Sequence, residues 1–127
     1  MSNTSAFFEG YRSEILTSIN TAMPCKVLSF DEATCTAKIQ PLFKTKEFNK
    51  EPLALAPIED VPVLYQRFKM HNTSEIIEFY PHLQAGDVVQ VVFNQRAIDD
   101  AQNGSIVYPG ARMFSVHDAV IVGVFMQ

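Results

Sequence analysis

The most informative feature of this 127-residue sequence is its lack of the residue patterns that common enzymes use. Glycine is scarce and isolated, so no glycine-rich loop is available to cradle a phosphate. The histidines are scattered, and no H-x-H, HExxH or CxxC spacing gathers a metal ion. A nucleophile elbow of the form G-x-S-x-G is also missing. We therefore predict that the chain is not an enzyme and that it has no catalytic residues, no metal site and no cofactor.

Adjacent acidic residues are the closest approach to a catalytic pattern. They occur at Glu59–Asp60 and Asp99–Asp100, and Asp118 follows His117. Carboxylates that share acid–base work must converge across a cleft, whereas sequence neighbours on a strand point to opposite faces. We interpret these residues as acids of turns and helix ends.

Positive charge is in short supply as well. The net charge is −4 and the pI is about 5.2. Proteins that bind nucleic acid usually carry a basic stripe, because phosphate contacts supply most of their affinity. The longest basic tract is Lys44, Lys46 and Lys50, which Glu47 and Glu51 dilute. Composition therefore favours a solvated loop here, and we expect no nucleic-acid partner.

Cysteine is rare, and long apolar runs are absent. In the hairpin predicted below, Cys35 pairs with Phe30 and Cys25 pairs with Gln40, so the two sulfurs are too far apart to bridge. Unpaired thiols suit a reducing cytoplasm. No run of about 18 apolar residues is present, and the first residues lack the basic start of a signal peptide. We expect synthesis in a cytoplasm and no integral membrane segment.

Apolar residues, in contrast, are abundant. The chain has ten Phe and five Met, and 47% of its residues are hydrophobic. This is more apolar surface than one small domain readily hides. A subunit interface is the natural place for the excess, although a Phe-rich core also explains it.

The first segment has the periodicity of a helix. Apolar residues recur at spacings of three and four, which places them on one face. Pro24 then ends helical geometry, so we predict an N-terminal helix within residues 1–23. Such a stripe packs on the core of its own domain or on a partner, and we take the second case as the hypothesis. The candidate trimer or hub interface consists of Phe8, Tyr11, Ile15 and Ile19.

Strand patterns dominate residues 24–127. A hairpin is predicted from Lys26 to Phe30 and Cys35 to Gln40, and Phe43 to Pro57 indicates a longer, irregular hairpin. Three further strands follow in the pattern, and the last run closes the chain. We therefore predict a mainly β fold: a small antiparallel barrel in a domain of residues 24–127, preceded by the helix. The three strands cover Asp60–Tyr65, Glu75–Tyr80 and Val88–Phe93, and the closing strand covers Ala119–Met126.

Several groups of residues resemble one known family when they are taken in order. Each group alone is common, but together they extend over most of the chain. They are Pro24, Val27, Phe30, Asp31, Thr34, Thr36, Ala37, Gln40 and Pro41; Ile58 with Asp60-Val61-Pro62-Val63; Pro81, Ala85-Gly86-Asp87-Val88-Val89 and Phe93; Arg96-Ala97-Ile98-Asp99; and Arg112, Ser115, Asp118-Ala119 and Gly123.

The family is that of phage baseplate central spike proteins, the membrane-piercing needles of contractile tails. The sequence resembles their N-terminal OB-fold domain. The resemblance implies a homotrimer on the tail axis of a virion, in contact with baseplate hub and tail-tube proteins. In the family a β-helical needle follows this domain, whereas this sequence ends at Gln127 without repeats. Either the sequence is a shortened form of a longer spike protein, or it is an adaptor at the base of a spike, with a separate spike-tip or needle protein; the second is the expectation.

An OB-fold module that binds single-stranded nucleic acid is the alternative. Such modules combine a basic groove with aromatic side chains on which bases stack. Overall acidity argues against this alternative. The residues that would serve it are Phe43, Phe48, Tyr65 and Phe68, with Lys44, Lys46, Arg67 and Lys69 nearby.

Overall fold

The computed structural model describes residues 3–45 and 51–126. Two compact units make up the chain: residues 1–21 with 93–118, and residues 22–92 with 119–127. The first contains the helix α1, and the second contains most of the strands. The predicted Lys46 and Phe48 of the nucleic-acid alternative lie outside the described residues.

Helix α1 spans Asn3–Ser18. The hydroxyl of Ser18 donates to the carbonyl of Ile15 (2.7 Å) and satisfies one acceptor of the last turn. Strand β1 begins at Ala22, so Pro24 lies inside a strand and not at the helix end. The predicted N-terminal helix is confirmed, and the division of the chain into domains at residues 23 and 24 stays a prediction.

Strands β1 (Ala22–Asp31) and β2 (Thr36–Pro41) form the predicted hairpin. At its turn, the carboxylate of Asp31 accepts from the amide of Ala33 (2.9 Å), as Asp does in tight turns. The predicted register is wrong. Cys25 pairs with Pro41, and Cys35 lies in the turn with a φ of 55°. The irregularity between Val27 and Ser29 shifts the ladder, although both thiols remain free as expected.

Strand β5 (Ile58–Pro62) pairs with β2, strand β8 (Val88–Phe93) pairs with β1, and strand β9 (Ala119–Val124) follows β8. The sheet order is β5-β2-β1-β8-β9. The two ends of this order meet, because Val63 forms a parallel bridge to Ile121 and the Leu64 amide donates to the Ile121 carbonyl (3.1 Å). The result is a curled, half-closed antiparallel barrel of the OB-fold type, which confirms the predicted fold class.

Alternation along these strands produces the core. In β2 the odd-numbered residues are buried and their neighbours are half-buried, and β8 repeats the pattern at Val89, Val91 and Phe93. Each fully buried aliphatic side chain stabilises the fold by about 1.5–3 kcal/mol. The largest of the fully buried apolar side chains are Cys25, Val27, Ile39, Val61, Val89, Val91 and Ile121.

The turn before β8 is tied to the irregular part of β1. The amide of Gly86 donates to the Val27 carbonyl, and the amide of Val27 donates to the Asp87 carbonyl (both 2.8 Å). Gly86 has a φ of 99°, a region that side chains disfavour. This turn therefore also fixes the strand beside it.

Two small hairpins complete the second unit. Strand β3 (Lys44–Thr45) pairs with β4 (Leu53–Ala54), within the region predicted as an irregular hairpin. Strand β6 (Gln66–Lys69) pairs with β7 (Ile76–Phe79). The sequence predicts β7 but not β6, because every residue of β6 is exposed and the strand carries no buried alternate positions.

Candidate assembly surface and its supporting ion pair

The predicted interface residues lie on or directly after α1, and all of them are exposed. Phe8 is 62% exposed and Tyr11 is 57% exposed, while Ile15 and Ile19 are closer to half-covered. Phe7 and Leu16 flank them and are more than 60% exposed. Every residue of α1 whose side chain is described is exposed. The helix therefore presents its apolar stripe to the surroundings.

The aromatic rings of α1 contact one another. Phe7 and Tyr11, one helical turn apart, stack with their centroids 6.5 Å apart, and Phe7 meets Phe8 edge to face at 5.6 Å. Such pairs prefer offset-stacked or edge-to-face arrangements. These contacts restrict the rings in the free chain, so less side-chain entropy is lost when a partner binds.

A helix of this length gains little stability from its backbone alone. Helices shorter than about 12–15 residues are marginal in water, and longer ones in proteins depend chiefly on the packing of an apolar face. Since α1 carries such a face, covering it with another protein surface would stabilise the helix. This is the physical case for an interface on α1.

The buried carboxylate of Asp118 organises residues 94–118 in the same unit. Asp118 is fully buried, at the end of a 3₁₀ turn formed by Val116–Asp118. Arg112 binds both of its oxygens, with Nε 2.9 Å from Oδ2 and Nη2 2.6 Å from Oδ1. The amide of Ile98 adds a third hydrogen bond to Oδ1 (3.2 Å). This bidentate geometry is among the strongest that side chains form.

Arg112 and Asp118 make further hydrogen bonds to neighbouring residues. Arg112 also contacts the Asp99 carboxylate, at 3.1 Å from Nη2, and the hydrogen bond to Asp118 raises the pKa of its guanidinium. The amide and side chain of Asn94 both donate to the Asp118 carbonyl (2.9 and 3.2 Å). Three separate parts of the segment thus meet at one residue. The cluster braces a loop, and the complete burial of Asp118 separates its carboxylate from solvent.

Asp118 follows His117 in the sequence, but the structure does not pair their side chains. His117 is exposed, and its amide donates to the Ser115 hydroxyl (3.1 Å). The partner is Arg112, six residues earlier. The only sequence signal for it was a lone arginine near an acid at the start of the closing strand.

Two of the residues proposed for nucleic-acid stacking pack against other aromatic rings. Tyr65 stacks with Tyr80 at 5.5 Å, and Phe68 meets Phe79 edge to face at 5.6 Å. Arg67 donates to the Tyr65 hydroxyl (3.1 Å) and lies 3.4 Å from the Glu78 carboxylate. A guanidinium neutralised by a neighbouring acid contributes little to phosphate binding, so these contacts disfavour the alternative.

Among the described residues, no group of three or more His, Cys, Asp or Glu side chains converges as metal ligands would. Within the same residues, no helix is both long enough and apolar enough to cross a bilayer.

Comparison with known proteins gives one family. The family model of the phage protein Gp138 N-terminal domain matches residues 23–123, which is most of the chain and nearly all of the barrel. A search of curated proteins gave no match.

Proposed function

Because the chain belongs to the family of the phage protein Gp138 N-terminal domain, it is a phage structural component, and we propose a specific place for it in the particle. In this proposal it is the homotrimeric hub or spike adaptor at the axis of a phage or phage-like tail baseplate. There it holds the cell-puncturing device for penetration of the host cell envelope.

The observation that carries this proposal is the exposed apolar stripe of α1. Phe8, Tyr11 and Ile15 lie on a helix whose described side chains are all exposed, and Ile19 directly follows it. Exposed apolar patches of this kind mark protein–protein contacts. Identical copies around the tail axis supply such contacts without a further gene product.

A structural part of a tail must resist force, and the barrel suits that role. Its sheet order brings the last strand back to β5, so few strand edges remain open for unwanted pairing. The proposed partners are baseplate hub and tail-tube proteins and a separate spike-tip or needle protein. No enzymatic step and no cofactor is part of the proposal.

The test is a double substitution on the helix, Tyr11→Asp with Ile15→Asp, measured by size-exclusion chromatography with light scattering. We expect the wild-type chain to be a trimer at tens of micromolar and the variant to be a monomer. Circular dichroism should show a folded barrel in both, because the substituted side chains are exposed.

The matched control is Phe79→Asp with Ile76→Asp on β7, which replaces an equally exposed aromatic and aliphatic pair. This variant should remain a trimer. A monomeric wild-type protein would contradict the trimer, and assembly that survives the helix substitutions would remove α1 from the interface.

A further inference from the structure

The loop between Gly104 and Gly110 belongs to the same unit as α1 and presents apolar side chains at its tip. Ile106 is fully exposed and Tyr108 is 86% exposed. Both glycines have positive φ angles, 85° and 78°, so the chain turns sharply at each end of the loop. The loop therefore presents a short run of exposed apolar side chains between two turns.

Two arginines hold the Gly110 end of this loop. Arg96 donates to the carbonyl of Gly110, and its guanidinium lies 5.9 Å from the centre of the Tyr108 ring, a cation–π distance. Two residues after Gly110, Arg112 is held by the buried Asp118. The exposed tip is therefore joined to a stem that hydrogen bonds and an ion pair hold in place. Such preorganisation favours binding.

A cyclic trimer needs two different surfaces on each chain. Its interfaces are heterologous, so one surface of a subunit contacts a different surface of the next. The α1 stripe supplies one surface, and the loop at residues 105–108 supplies a second of the same apolar character. We propose that the tip of this loop packs against the α1 stripe of the neighbouring copy. This inference rests on the proposed homotrimer and names the contact that forms it.

The exposed apolar area of the two surfaces supplies part of the area that such a contact needs. An aromatic side chain buries about 150–250 Å² when it is covered, so the exposed rings of this unit offer on the order of 500 Å². With the exposed aliphatic side chains, the two surfaces together offer roughly 800 Å², about half of the ~1,600 Å² that the two sides of a stable interface bury. The contributing residues are Phe7, Phe8, Tyr11, Ile15, Leu16, Ile19, Ile106, Val107, Tyr108 and Met113.

The borders of the two surfaces offer one pair of opposite charges. Arg12 flanks the α1 stripe, one turn from both Phe8 and Leu16, and it has no ion pair among the described residues. Asp100 lies just before the loop, at the start of the 3₁₀ turn Ala101–Asn103, and its carboxylate caps no amide there. Both side chains are exposed. In the proposed contact Arg12 of one copy pairs with Asp100 of the next, which fixes the direction of the ring.

The experiment exchanges these charges in the full chain and follows dissociation of the trimer by sedimentation velocity over a concentration series. Arg12→Asp and Asp100→Arg should each raise the dissociation concentration about tenfold, because each places like charges together. The double variant should return to within about threefold of the wild type. Ile106→Asp should weaken assembly at least about tenfold, since it removes the apolar tip. Lys69→Asp, an equally exposed charge reversal on β6, should leave assembly unchanged.

The outcomes separate this inference from the proposed function. A wild-type monomer overturns both. A trimer that is lost with Tyr11→Asp and Ile15→Asp but is unaffected by Ile106→Asp and by the charge reversals overturns only the assignment of the loop. Single reversals that weaken assembly without rescue in the double variant overturn the pairing of Arg12 with Asp100. Urea unfolding of each variant shows whether the fold itself is intact.

Discussion

Single residues determine how the segment 94–118 is held. Asp118 is the one charged side chain that the described structure buries completely, and the Arg112 guanidinium satisfies both of its oxygens. A buried ion pair adds little net stability relative to an apolar pair, but removing one partner is costly because the other is left unpaired. The ion pair of Asp118 and Arg112 matters here because it fixes the positions of the chain on either side of it, the end of the preceding loop and the start of the following strand.

The first prediction concerns this carboxylate. Asp118→Asn keeps the shape of the side chain but removes the charge that two arginine nitrogens bind. We expect a loss of about 1.5–3 kcal/mol in the free energy of unfolding, the range for hydrogen bonds to charged groups. Urea denaturation at pH 7 measures it. Asp99→Asn is the control and should cost less than about 1 kcal/mol, because that carboxylate is exposed. Equal effects of the two would contradict the account.

The second prediction concerns Cys25. Burial raises the pKa of its thiol from 9.0 to about 11. At pH 8 roughly one thiol in a thousand is then the reactive thiolate. In a Cys35→Ala background, a disulfide reagent should modify the native chain at least about 100-fold more slowly than the urea-unfolded chain. Rapid labelling of the native chain would show that Cys25 is accessible.

The sign of the pH effect follows from the same shift. The folded pKa lies above the unfolded one, so the contribution of Cys25 to stability is fully present below about pH 9. It is lost as the pH rises toward 11, because the unfolded chain releases the proton more readily. Labelling of Cys25 should accordingly accelerate across this range.

At the scale of elements, the barrel depends on a few irregular positions within regular strands. The shift in β1 between Val27 and Ser29 is matched by the turn at Gly86, whose amide bonds the Val27 carbonyl. The turn and the bulge therefore act together to place β8 against β1. Helix α1 is the opposite case, a regular element with an unsatisfied apolar face.

The third prediction tests this turn by adding a methyl group at Gly86. Gly86→Ala forces a side chain into a φ of 99°, and since no atom lies within 4 Å of the new Cβ, the cost is one of backbone conformation alone. We expect a loss of about 1–2 kcal/mol. Gly123→Ala in β9 is the matched control: it has equally open space and no positive φ, so it should be neutral or slightly stabilising. Thermal unfolding of the two variants should separate them clearly, and identical melting temperatures would contradict this assignment.

At the scale of the whole molecule, the chain combines a well-packed barrel with a separate unit rich in exposed apolar side chains. The barrel core is buried by its own strands, whereas α1 and the loop tip at Ile106 and Tyr108 remain open. In the proposed ring, each copy offers its loop to one neighbour and its helix to the other. The helix substitutions test the assembly, and the charge exchange tests its direction.

The sequence alone determined the elements whose signals are local. Strand patterns predicted β2, β7 and β8, turn residues predicted the hairpin at Asp31, and helical spacing predicted the stripe of α1. It did not determine the register of Cys25 and Cys35 or strand β6, because a bulge and an exposed strand leave no periodic mark. The pairing of Asp118 with Arg112 and the exposure of Ile106 were decided only by tertiary structure. Burial and ion pairing depend on which distant segments the fold brings together, and no local pattern of residues encodes that.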